Sequence, residues 1–159
     1  PADSSSPFPF ATRNTYGEGT AVYIAGSIYE AYWKFNHHWL RQFFSAVYDH
    51  AYNDTSFRLD VPSTVEGNLM KTDEGELLLN LIQYQVGHQG DTSAIPSIEK
   101  VYPFHNAKCC VRAEGVKSVT LEPDGTKLEF VQSGEYVEFT IPSFTYMAIA
   151  RISRGLIDA

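Results

Sequence analysis

Up to about residue 55 the apolar positions first run together and then recur every three or four residues; from Phe57 onward they recur every two. Thr20 to Ala25 is a short apolar run without alternation, the pattern of a strand covered on both faces, as in a parallel sheet. Ser27-Ile28-Tyr29-Glu30 follows with the S-x-x-E spacing of a capping box, in which serine and glutamate each satisfy an orphan backbone N–H. Ile28, Tyr32, Phe35, Trp39, Phe43 and Val47 then form an apolar stripe at helical spacing, with Glu30, Lys34, His37, Arg41 and Ser45 on the opposite face. Asn36 marks a break or restart, and "YNDTS" ends the helix around residues 51–54. Pro1 to Glu18 is rich in Pro, Ser and Gly and reads as loop or tail, pinned by Phe8 and Phe10. On this pattern nothing earlier in the chain pairs with the strand at Thr20.

The second regime predicts strands. Phe57, Leu59 and Val61 alternate with polar residues, as do Val65, Gly67 and Leu69. The turn Thr72-Asp73-Glu74-Gly75 leads into Leu77 to Tyr84, apolar on both faces except at Asn80 and therefore expected at a central position. A long polar loop spans Gln85 to Ser97; loops of that length inside compact domains are often functional. Further strands are expected at Lys108 to Arg112, with Cys109 and Val111 on one face, at Val119 and Leu121, and at Leu128 and Phe130. Ser133-Gly134 closes a hairpin into Val137, Phe139 and Ile141, and Phe144 to Ile152 forms the last strand. Short strands with turns at this spacing indicate an antiparallel β-sandwich of Ig-like type. The expected class is mainly β, with a strand–helix α/β stub in residues 1–55, the sandwich in 56–153 and a tail at 154–159.

Composition narrows the function. Of 159 residues, 43% are hydrophobic and 14% aromatic, enough to fill a core, so disorder is expected only at the ends. The net charge is −7 without a Lys/Arg cluster, which argues against a nucleic-acid partner, because phosphates need a basic footprint. No apolar run approaches the roughly 20 residues that span a bilayer, so no membrane partner is expected. Cys109 and Cys110 are adjacent, and neighbours in a strand point to opposite faces, which disfavours a bond between them.

Catalytic and metal signatures are missing. His37 and His38 are neighbours and project about 100° apart on a helix, whereas metal pairs sit at i and i+4. The acidic residues fall in turns (Asp73, Glu74, Asp124) or at the outer positions of strands (Glu122, Glu129, Glu138), where a solvated sandwich carries charge in any case. The nucleophile elbow, the P-loop and the dinucleotide fingerprint do not occur. The expectation is a chain without catalytic residues, metal or cofactor.

The aromatic residues carry more information. Tyr29, Tyr32 and Trp33 cluster at the start of the helix, with Tyr16, Tyr23, Tyr48 and Tyr52 nearby in sequence. They form either a seam against a neighbouring domain, a platform on which sugar rings stack, or plain core. Tyr32 lies on the apolar stripe, whereas Trp33 lies off it and is the better candidate for an outward contact. The candidate interface or sugar contacts are Tyr29, Trp33 and His37 on the helix and His88 and Asp91 in the long loop.

The segment "NTYGEGTAVYIAGSIYEAYWKFNHHWLRQFF" resembles the closing unit of the beta-galactosidase trimerisation domain, a flavodoxin-like fold that follows the catalytic barrel in certain glycoside hydrolases. There a Gly-x-Gly turn, here Gly17-Glu18-Gly19, precedes an apolar strand and an aromatic-rich helix. "VPSTVEGNLMKTDEGELLLNLIQYQ" and "VKSVTLEPDGTKLEFVQSGEYVEFTIPSFTYMAIARI" are similar to the C-terminal β-sandwich of such proteins. The resemblance implies a non-catalytic accessory piece of a glycosidase. Its partners would be a catalytic barrel and the rest of an α/β domain, neither in this chain, with carbohydrate and self-association as further partners. The alternatives are a carbohydrate-binding module and an independent enzyme.

Overall fold

A computed structural model describes residues 8–35, 37–52, 54–84 and 100–155. The chain divides into two compact units, Pro1–Thr55 and Ser56–Ala159.

The first unit opens with a hairpin of β1 (Ala11–Tyr16) and β2 (Gly19–Ile24), paired antiparallel from Ala11↔Ile24 to Tyr16↔Gly19. This corrects two sequence expectations. Residues 11–16 are a strand, not loop or tail, and the strand near Thr20 has a partner within the chain. Nor is β2 covered on both faces: Ala21 and Tyr23 are exposed while Val22 and Ile24 are half-buried. The signal was hidden because β1, "ATRNTY", is exposed along its whole length and so carries no apolar alternation. Gly17, at φ +59, supplies the left-handed conformation the two-residue turn requires.

The helical stretch is split into α1 (Ile28–Phe35) and α2 (His38–Ala51). His37 is extended at φ −66 and ψ 124 and so ends one helix before the other starts. The break near Asn36 therefore occurs where the sequence places it, but its effect on the stripe is larger than the single-helix reading allows. The helical phase restarts, so Phe35 and Trp39 are exposed, and the buried residue of α2 is Leu40, backed by half-buried Phe43, Phe44 and Val47. Glu30 and Lys34 form an exposed i,i+4 ion pair at 2.6 Å, worth a few tenths of a kcal/mol.

The second unit is an antiparallel sandwich. One sheet has the order β3 (Phe57–Asp60), β6 (Phe104–Arg112), β10 (Tyr136–Phe144), β9 (Phe130–Ser133). The other has the order β4 (Val65–Lys71), β5 (Leu77–Gln83), β11 (Met147–Arg154), β7 (Val116–Glu122), β8 (Thr126–Leu128). Inward positions follow the period of two: Leu77, Leu79 and Leu81 on β5 and Ala148, Ala150 and Ile152 on β11 face Ala107, Cys109 and Val111 on β6 and Val137, Phe139 and Ile141 on β10. As expected, β5 has a partner on each side, but its second face is open, with Ile82 exposed. Phe144 closes β10 rather than opening the last strand, which starts at Met147 in the other sheet.

The facing sheet packs tightly over Gly67. A Cβ there would lie 2.5 Å from Leu59 Cδ1 and 3.0 Å from Phe57 Cε2 on the facing sheet. Gly67→Val is expected to destabilise the sandwich by about 1–3 kcal/mol through overpacking. Urea unfolding checks this, and Leu59→Ala in the same chain should recover part of the loss. Equal costs in the presence and absence of Leu59 would show that the close approach is not the cause.

Candidate functional site

The aromatic side chains of the first unit form two sets. In one, the Tyr29 ring stacks on Phe44 with centroids 4.4 Å apart and planes at 15°. Tyr32 meets the same ring edge-on at 5.6 Å, Phe43 contacts Phe44 at 5.8 Å, and Phe10 contacts Phe43 at 5.8 Å. Each such pair contributes about 0.5–1.5 kcal/mol beyond its buried area. Phe44 thus ties α1 to α2, and Phe10 ties the start of the hairpin to α2, helped by the Ala25 N–H donating to the Phe10 carbonyl at 2.8 Å. Sequence reasoning missed Phe44 and Leu40. The signal was present: counted from the break, Leu40, Phe43, Phe44 and Val47 make their own stripe.

The other set lies at the helix break. His37 sits between the rings of Phe35 and Trp39, at 5.9 and 6.0 Å and within 22° and 17° of parallel. Exposure here is high: Trp33 89%, Phe35 65%, Tyr29 64% and Trp39 56%. Among the described residues of this unit only Leu40 is buried. A unit of this size that folds alone normally encloses a core. Clusters of exposed large rings of this kind mark interaction surfaces in general.

The structure places the candidate residues as follows. Tyr29 and Trp33 lie one helical turn apart on α1, and His37 lies in the break beyond its end. Tyr29 has one ring face engaged by Phe44, and His37 is flanked by two rings, so stacking within the unit already uses part of the platform. His88 and Asp91 fall outside the described residues.

Among the described residues perturbed ionisable groups are few, and each has a structural cause. Burial, aided by the neighbouring Cys110, pushes the Cys109 thiol up to about 12. Cys110 is raised by burial and by Glu138, with Arg58 opposing. Arg151 is raised by its hydrogen bond to Glu76, donated from Nε at 2.8 Å with Nη2 at 2.6 Å from the same oxygen. Glu74 is lowered by a backbone hydrogen bond and by Thr72. Arg154 donates to the Gly75 carbonyl, so Arg151 and Arg154 clamp the β4–β5 turn. That cluster holds a turn in place and does not converge on a cleft. Among the described residues no group of three or more His, Cys, Asp or Glu is placed to hold a metal, and no helix is long and apolar enough to cross a membrane.

No protein-family model and no curated protein matches the chain. Solved structures do. The alpha-L-fucosidase isoenzyme 2 from Paenibacillus thiaminolyticus aligns at a TM-score of 0.73 and 20% identity, over 84% of this chain and 21% of that one. A cycloisomaltooligosaccharide glucanotransferase from Paenibacillus sp. aligns over 62% of this chain and 17% of that one at 21% identity, with a TM-score of 0.42 that is too low to establish a shared fold. The chain thus has the fold of a segment of a glycosidase-type protein and spans about a fifth of the length of the fucosidase it matches.

Proposed function

We propose that this chain is the non-catalytic C-terminal accessory region of a beta-galactosidase-like glycoside hydrolase. The first unit is the closing piece of a flavodoxin-like domain, and the sandwich follows it. Its work is packing: Tyr29, Trp33 and the Phe35–His37–Trp39 stack meet the α/β and catalytic portions of the parent and hold them in place. The observation that carries this reading is the contrast within the first unit, where several large rings are exposed and, among the described residues, Leu40 alone is buried. The fold likeness supports it, because the segment matched is a small part of a much longer glycosidase chain. A sugar platform at the same place is less well supported, since part of the ring surface is spent on contacts inside the unit.

The two tryptophans, Trp33 and Trp39, both lie in the first unit and both are exposed, so tryptophan emission reads that surface directly. The chain alone should emit as water-exposed indole and should hydrolyse no aryl glycoside. Adding the separately purified catalytic portion should shift emission to the blue and protect both indoles from acrylamide, and Trp33→Ala should weaken the association at least tenfold. A blue shift with galactan or fucosylated oligosaccharides alone would convert the seam into a sugar platform. Turnover that is abolished by removing one carboxylate would overturn the accessory role altogether.

A further inference from the structure

The sandwich carries a feature that packing does not use. An open groove of about 940 Å³ runs from the outward positions Glu138, Thr140 and Pro142 of β10 to residues 127–131, where the edge strands β8 and β9 of the two sheets meet, with Asn106 of β6 in its lining. A second hollow of about 290 Å³ lies over β3, β6 and β10. The two meet along Glu138, Phe139 and Thr140, and the larger alone is the size of a small-molecule site.

The lining defines what fits. Three basic side chains (Arg58, Lys108, Lys127) and three acidic ones (Asp60, Glu129, Glu138) balance, in a chain whose net charge is −7. A balanced field attracts neither polyanions nor polycations. Asn106 and Thr140 add an amide and a hydroxyl, so the lining holds both donors and acceptors. Phe130, Val131 and Pro142 supply apolar surface between them, with Val131 exposed. A ligand that meets this lining is uncharged, has hydroxyls around its rim and C–H faces between, and is elongated.

An extended peptide fits less well. β9 pairs with β10 only from Tyr136 to Phe139, so among the described residues Thr140–Phe144 lacks a strand on that side. A peptide strand could add there only through main-chain hydrogen bonds. Pro142 sits in that segment without an N–H, and proline is a usual guard of open edges.

We infer that this outer face of the sandwich binds a neutral oligosaccharide along the Glu138–Thr140 line, independently of the aromatic surface of the first unit. The test is a titration of the whole isotope-labelled chain, followed by NMR, with galactotetraose, xylohexaose, cellohexaose and mannohexaose. At least one should give saturable shifts confined to amides around Asn106, Lys108, Val131, Glu138 and Thr140. Glu138→Ala with Thr140→Val should weaken that binding at least tenfold with the melting temperature unchanged. If the pair unfolds the sandwich, Lys127→Ala with Glu129→Ala, both exposed, serves instead with the same expectation. No shifts with any of the four, or shifts confined to the tryptophan indoles, would overturn the proposal. So would binding only by an acidic glycan or by an unstructured peptide. Because the indoles and the groove amides lie in different units, this test can fail while the seam stands, and the reverse.

Discussion

Replacing Leu79 by alanine should destabilise the sandwich by about 2–5 kcal/mol. Leu79 is fully buried at the centre of β5, paired with Ala150 on β11 and Leu69 on β4. The loss has two parts: transfer of the removed methyl and methylene groups, and the cavity left behind. The second part should be large, because Leu77, Leu81, Val111 and Ile141 are also buried in this core and are held in strands that cannot collapse inward without breaking ladders. Met147→Ala is the control. It removes a side chain of similar volume from the same sheet, but from a position 56% exposed, and should cost well under 1 kcal/mol. Equilibrium urea unfolding followed by far-UV dichroism gives both values. Similar costs at the two positions would mean that the core does not lie between these sheets.

The sandwich should also lose stability sharply in alkali, through one thiol. Burial raises Cys109 from 9.0 to about 12. An acid with a raised folded pKa is held neutral in the native state, so its contribution is complete below about pH 9. Above that the unfolded chain gives up the proton and the folded chain does not, and stability falls until the native thiol ionises near pH 12. At roughly 1.4 kcal/mol per pH unit the window amounts to about 4 kcal/mol. Urea midpoints for the parent and Cys109→Ala, taken from about pH 8 to about pH 11, check this. The variant should start less stable, because of the cavity, and should show a flatter decline. Parallel declines would assign the alkaline loss to other groups, the raised thiol of Cys110 first among them. The same burial predicts slow reaction of Cys109 with thiol reagents, because the thiolate is the reactive species.

The sandwich was legible because its core obeys one rule. Where the sequence alternates, the structure turns the apolar set onto the core: Val137, Phe139, Ile141, Cys109 and Val111 are buried, and Phe57, Leu59 and Val61 are partly buried against them. Boundaries were harder. The pattern puts Phe144 in the last strand because apolar residues run on past it, yet the chain changes sheets between Phe144 and Met147. Such a crossover leaves no mark in periodicity, since both strands face the same core. The first unit was read less well, for a physical reason: pattern arguments assume that a core decides which side chains turn inward. With Leu40 alone buried among the unit's described residues, that assumption fails for the hairpin partner β1 and for the shifted phase of α2. The aromatic cluster was visible as composition around Tyr29 and Trp33, but the part played by Phe44 depends on a helix restart that spacing locates only approximately. The groove could not be foreseen, because Asn106, Lys127, Glu129, Glu138 and Thr140 are polar positions that a periodicity argument sets aside, and Asn106 comes from a strand distant in sequence from the others.

The strand order has a consequence for how the chain is made. β11 is the last strand among the described residues, yet it lies in the middle of its sheet, between β5 and β7. During synthesis β4 and β5 leave the ribosome as a hairpin and wait, roughly several seconds at ordinary elongation rates, for the segment from Met147 to appear. Until then the leucine-rich β5 keeps one edge open, the form in which strands join to strands of other molecules. A nascent chain halted before Met147 is therefore not a slightly shortened protein. It is a sheet without its middle, and its hazard to the cell lies in what it sticks to rather than in what it lacks.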